Sequence, residues 1–423
     1  MAAGRLKRRR RGSVSFQLIV LLVPVFFGLI GFAVDLGRMY SARHDLKLAA
    51  NSMAQAAASR LTMTDAAIES ATTAANYAIT TANGRGNMYD FGGGTIGESN
   101  GNLNSEAPRF TYYDTASAAI GAEGATGGEA GSATARHVKV TVRGEAPLIF
   151  WRFLSLAQEG RLNLVAESVA GVSAPLCQAC GIEPIALQAI SIDDTVDFGF
   201  AVGTRYTLGY VCNGGPTPAG LAGTQRVPYV LLNKYNESAT ILADEQTQAY
   251  RQGSLGMSAG IDPTYACTRV NAEENIWTNA NPMNCNQNQV STPVRSFLCG
   301  LAARFDASTV PAACNAVAET DTILGAAPQD TDVTSIDDYA AYTGNNRRII
   351  TVAIVETAST AAMPILGYRQ FLLQPATNDV TLNANDTNGR FEALYLGSVM
   401  PLRAGRIDGC TLATGPGKVV LHQ

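Results

Sequence analysis

The distribution of charged, apolar and small residues divides the start of the chain into three zones. Basic residues crowd Arg5 and positions 7–11, no charge follows between positions 13 and 34, and residues 18–34 are almost wholly apolar. Such a run is long enough for a helix to cross the hydrocarbon core of a bilayer. The Lys/Arg cluster on its amino side predicts a cytoplasmic amino terminus, with the remainder of the chain translocated. A cleavable secretory signal shares the basic flank and the apolar core but closes on a small-residue motif. Here the core runs into Ala33-Val34-Asp35-Leu36-Gly37-Arg38 without one, which favours a retained anchor. A twin-arginine export signal fits less well, because Arg10-Arg11 is followed by Gly-Ser-Val-Ser instead of an apolar pair.

Beyond this run the pattern takes a helical period. Met39, Leu46 and Met53 recur every seven residues, and Ala42, Ala49 and Ala56 interleave with them, which puts all six on one helix face reaching to about Leu61. Small alanines on such a stripe let a neighbouring backbone approach closely. The six residues therefore form a predicted packing seam, directed at the chain's own head or at copies and relatives of the helix. Residues 62–82 stay helix-compatible, with Thr64 and Asp65 as caps of a second short helix. From 83 to 136 the sequence is dense in Gly, Ala, Ser, Thr and Asn, which predicts exposed loops around short strands such as 109–113.

Strand patterns then dominate: 137–143, 162–172, 227–232, 348–355, 368–373, 391–396 and 419–421 are alternating or β-branched and bounded by turn formers. Helical patches are fewer, at 148–156, 239–250, 296–305 and 336–342. The mixture predicts an α+β fold: a transmembrane helix continuing into an Ala-rich stem, then an extracytoplasmic head built mainly on antiparallel sheet. The expected organisation is a basic cytoplasmic leader at 1–12, a transmembrane helix at 13–35 and a helical stem at 36–82. Loops and short strands follow at 83–136, then a cysteine-containing head at 137–423 with room for two subdomains.

Charge and cysteine usage sharpen this picture. The net charge is −4 in 423 residues, and beyond the leader the basic residues are scattered among acids, so no nucleic-acid partner is expected. Cys177, Cys180, Cys212, Cys267, Cys285, Cys299, Cys314 and Cys410 all lie beyond the apolar run. An even count there predicts disulfides in an oxidising compartment, with a connectivity that sequence alone leaves open. Cys177-Gln-Ala-Cys180 reads as a structural pair bridged to distant cysteines, since it lacks the surroundings of a redox turn. It also lacks the second close Cys or His pair that a tetrahedral zinc site needs.

The segment Gly31-Phe-Ala-Val-Asp35-Leu-Gly37-Arg38-Met-Tyr40-Ser-Ala-Arg43, followed by Leu46-Lys-Leu-Ala-Ala50 and Ala54-Gln-Ala-Ala-Ala58, resembles the amino-terminal part of TadE/TadG-like proteins of the tight-adherence (Tad) pilus system. The resemblance covers about residues 11–60. A weaker echo lies in the stretches 138–142, 147–150 and 164–170. Membership would imply a bacterial inner-membrane protein with a periplasmic head, partnered by pilin-like subunits, assembly proteins or copies of itself. Two positions depart from the family pattern. Asn51 stands where an Asp is usual. Pilin-like relatives carry Glu at the fifth position after a processed Gly, and counting from a processing site at Gly12-Ser13 that position is Gln17. Glutamine can hydrogen-bond but cannot supply the charge.

Little else in the chain points to chemistry. Gly256-Met-Ser258-Ala-Gly260 has the letters of a nucleophile elbow, but the preceding residues make a poor buried strand and Pro263 would break the helix that should follow. Gly92-x-Gly94-x-x-Gly97 lies in the loop-rich stretch, without a βαβ unit around it. Asp193, Asp194 and Asp197, and again Asp379, Asn383, Asn385 and Asp386, cluster without calcium-loop spacing. The sequence therefore reads as a non-enzymatic envelope protein, with no cofactor, metal or catalytic residue. Its main function would be in pilus or secretion assembly; the alternatives are a minor pilin carried into the filament and a tethered binding protein or enzyme.

Overall fold

The protein is described by a computed structural model covering residues 13–79, 108–124, 126–147, 150, 161–211, 225–232, 250, 253, 267–274, 292–302, 304, 314, 339, 346–358, 362–374, 386 and 388–422. Helices are α1 (Ser13–Ala58), α2 (Ala67–Ala78), α3 (Ala116–Ile120) and α4 (Thr292–Ala302). The strands begin with β1 (Arg109–Tyr113), β2 (His137–Pro147), β3 (Arg161–Val172), β4 (Gln178–Cys180), β5 (Ile185–Gln188), β6 (Arg205–Tyr210) and β7 (Gln225–Leu231). They continue with β8 (Cys267–Arg269), β9 (Glu273–Glu274), β10 (Ile349–Val355), β11 (Met363–Leu373), β12 (Phe391–Gly397), β13 (Ala404–Arg406) and β14 (Val419–His422). The fold is α+β with mainly antiparallel pairing, as the strand patterns predict.

The second half of α1 lies on a wholly antiparallel sheet of order β1-β2-β3-β14. Alternation in β2 turns Val138, Val140 and Val142 toward the helix, and the paired strand adds Leu164, Ala166 and Ala170. Eleven residues of strand rise about 36 Å, against about 34 Å for helical residues 36–58, so hairpin and half-helix match in length. Ala67, Ala71 and Ala75 of α2 are buried as well, small residues again allowing close packing. Thr64 does not cap α2: its buried hydroxyl pairs with Thr62 at 3.2 Å, and Ala66 holds the cap position without a side-chain bond. The turn instead supplies backbone, Ala67 N–H donating to the Thr64 carbonyl at 2.9 Å.

The larger core is a closed sheet. Strand pairings run β10-β5-β7-β6-β12-β11 and return from β11 to β10, with β9 attached to β11. The β5–β10 and β6–β7 pairs are parallel and the others antiparallel. Closure removes the exposed edges of a six-stranded sheet, and β10 and β12 are buried at every position. Phe200 meets Tyr206, Phe371 and Tyr395 with ring centroids at 5.2, 5.4 and 5.3 Å, filling the interior with aromatic volume. Arg304, just beyond α4, forms a buried ion pair with Glu183 beside β5 and donates to the Arg347 carbonyl at 2.7 Å. α4 occupies 292–302, where the sequence pattern predicts a helix at 296–305.

A third sheet, β13-β4-β8, carries two of the cross-links. Cys177 bonds Cys410, Cys180 bonds Cys267 directly across paired strands, and Cys299 bonds Cys314. The close cysteines at 177 and 180 thus each reach a distant partner. Cys212 and Cys285 lie outside the described residues, as do the predicted helices at 239–250 and 336–342 apart from Tyr250 and Tyr339.

Candidate functional site

The two ends of α1 have opposite surroundings. From 18 to 30 the large apolar side chains are bare, reaching 72% exposure at Leu21 and 66% at Phe27. Then Gly31 and Asp35 are covered, and from Ala42 onward one face is closed off. The change coincides with the first contact of the β2–β3 hairpin. Phe150, in the connection between those strands, donates its backbone N–H to Asp35 Oδ2 at 2.9 Å. Its ring lies so close to Gly31 that a Cβ there would overlap it. Further along, Lys47 Nζ donates to the Glu167 carbonyl at 2.5 Å and Ser168 Oγ to Asn51 Oδ1 at 2.8 Å. Asn51 therefore serves as a hydrogen-bond acceptor for β3.

The predicted seam is filled from within the chain. Ala42, Leu46, Ala49 and Met53 are buried in the helix–sheet core, with Met39 packed at its edge. Ala56 is only half-buried; the centre of the contact runs instead through Leu46, Ala50, Met53, Ala54 and Ala57, all at 0% exposure. Of the two readings of this stripe, packing on the chain's own head is the one this contact matches, β2 and β3 covering the face. Gly12 and the side chains of Ser13 and Gln17 lie outside the described residues.

The other candidate sites resolve into structural roles where they are described. Asp194 accepts from the backbone N–H groups of Val196, Asp197 and Gly199 at 2.9, 3.1 and 3.0 Å, so its carboxylate closes a turn, and these bonds hold its pKa down. Asp197 accepts from the Tyr395 hydroxyl, and Asp386 pairs with Arg390 at 2.7 Å. Among the described residues, no group of three or more His, Cys, Asp or Glu is placed to hold a metal. Asp379, Asn383, Asn385, the 256–260 motif and the 92–97 glycines fall outside them.

A cavity of about 770 Å³ opens between the four-stranded sheet and the closed one, lined by Arg136, His137, Asp197, Ser398 and Thr414 among others. His137 packs against His422 across β3, ring centroids 5.2 Å apart. Burial, then the nearby His422, push the His137 imidazole down to about 4, and burial also lowers His422. Both rings are therefore neutral at physiological pH.

Sequence reasoning gave no role to Gly31, Asp35, Lys47, Phe150 or Ser168. The available signal was the Gly31 and Asp35 pair placed one helical turn apart at the end of the apolar run. Residues 12–60 match the family model of Flp pilus-assembly TadE/G-like (Tad) proteins. No curated protein and no solved structure matches the chain significantly.

Proposed function

We propose that this chain is a non-enzymatic, membrane-anchored component of a Tad or type IV-like pilus, or of a related secretion assembly. The carrying observation is the coincidence of the bare apolar half of α1 with the TadE/G-like match over residues 12–60. A soluble protein would gain about 25 cal/mol for each Å² of such a surface that it buried; leaving it bare is stable in lipid. In this reading residues 13–34 cross the inner membrane, the basic leader stays in the cytoplasm and the disulfide-bonded head folds in the periplasm. Partners are membrane lipid and other pilus subunits or assembly proteins, engaged by α1 within the bilayer and by the head outside it.

A minor pilin carried into the filament is the second reading. It is favoured by a helix whose free half projects from a sheet-backed half, leaving one apolar surface able to exchange lipid for neighbouring helices. Envelope fractionation, intact mass and amino-terminal sequencing test both. The anchor reading expects a full-length chain that resists carbonate extraction of the inner membrane. A chain beginning at Ser13 in sheared filaments would instead establish the pilin reading, and a chain in the soluble periplasm would contradict both.

A further inference from the structure

We infer that Phe150, in the connection between β2 and β3, is a second membrane contact, seated in the outer interfacial layer of the same bilayer that α1 crosses; this rests on the anchoring proposed above. Position carries the argument. Gly31, against which the Phe150 ring packs, lies three residues inside the end of the apolar run at Val34, about 4.5 Å along the helix axis. Whatever depth Gly31 occupies, the Phe150 ring shares. Asp35 fixes that depth, its buried carboxylate accepting the Phe150 backbone N–H at 2.9 Å, so the hairpin cannot slide along the helix without losing the bond. Phe150 itself keeps 36% of its surface exposed.

The chemistry of the adjoining sequence agrees. Residues 148–156 read Leu-Ile-Phe-Trp-Arg-Phe-Leu-Ser-Leu, an aromatic and aliphatic stretch with one arginine. Aromatic rings with an apolar body prefer the boundary between headgroups and acyl chains, and arginine can extend its guanidinium to lipid phosphates there. The consequence is mechanical: two contacts, one spanning and one interfacial, define the tilt of the helix–sheet unit on the membrane, which a single helix leaves free to swivel.

The chain has only two tryptophans, at positions 151 and 277, which makes the test direct. Full-length Phe150→Trp protein carrying Trp151→Phe and Trp277→Phe is reconstituted in phosphatidylcholine–phosphatidylglycerol vesicles containing lipids brominated either near the headgroup or near the acyl terminus. A second chain, changed only by Trp277→Phe, reports from Trp151 with Phe150 intact. The inference expects blue-shifted emission, poor quenching by aqueous iodide, and stronger quenching by shallow bromine than by deep bromine. Water-exposed emission in both chains, with free iodide access and no lipid quenching while the protein stays in the carbonate-washed pellet, would overturn it and leave the anchor standing. Loss of the protein to the supernatant would overturn the anchor, and the inference with it.

Discussion

The two halves of α1 are one helix with two surroundings, one bare and one sheathed by sheet. Residues 18–34 present Leu, Ile, Val and Phe on every face and bury almost nothing, whereas residues 42–58 present Ala, Leu and Met on one face and bury that face completely. In the proposed anchoring, the amino half is apolar all round because it is built for lipid. The carboxyl half is one-sided because water lies on one flank and the valines of β2 on the other. Side-chain size follows the same division. Bulky residues suit a lipid contact with no fixed partner, and alanines suit a sheet that must approach closely along about 34 Å of helix. The boundary is marked by Gly31 and Asp35, where the hairpin first touches the helix.

This comparison is broken most severely by truncating the sheathed half. Met53→Ala should cost about 2–5 kcal/mol of stability, read as a lower denaturation midpoint, with membrane retention unchanged. The converse experiment strikes the bare half: Phe26→Arg should raise the cost of insertion by about 2.5–3.5 kcal/mol. It would shift the chain toward the soluble fraction while the midpoint of the folded head stays put. Should either variant produce the other's phenotype, the division of labour along α1 is wrong.

Acid separates the halves in a third way. An imidazole whose folded pKa sits below the ordinary 6.5 favours the native state only while neutral, so its contribution is full above 6.5 and is lost as pH falls toward the folded value. For His137, at about 4, the loss spans pH 6.5 to 4 and amounts to up to about 3 kcal/mol. His137→Phe, which keeps a ring beside Gly171, should flatten that limb of the stability curve, and membrane association should not respond at all. An unchanged slope would remove His137 from the account. The smallest effect is expected at Asn51→Asp, which retains an acceptor for Ser168. A change under about 1 kcal/mol is predicted, measured by denaturant titration.

The same contrast explains what the sequence could disclose. The bare half was legible outright, since an uncharged run of that length has few alternatives. Strands 137–143, 162–172, 348–355, 368–373 and 391–396 were legible from alternation or β-branching, and all coincide with observed strands. The closure of the large sheet was not legible, because it depends on pairings such as β5 with β10 and β6 with β12, whose partners lie more than 150 residues apart and which no local pattern encodes. For the sheathed half, the stripe through Leu46 and Met53 announced that something covers it. An apolar stripe records burial without recording the occupant, so own sheet and neighbouring copy read alike until the hairpin is placed. Asp35 and Phe150 escaped for a related reason, their bond joining positions 115 residues apart. The disulfides behaved similarly: oxidation was readable from position and even count, whereas linking Cys177 to Cys410 required the third sheet.

The central claim is that lipid meets the first half of α1 and protein meets the second. Native membranes containing the full chain, loaded with a phospholipid that carries a photoactivatable carbene precursor in its acyl chain, test it directly when cross-linked peptides are mapped by mass spectrometry. The account predicts adducts throughout residues 18–34 and none on the buried face formed by Leu46, Ala50, Met53 and Ala57. Adducts on that face, or their absence from residues 18–34 in protein that remains membrane-bound, would contradict it.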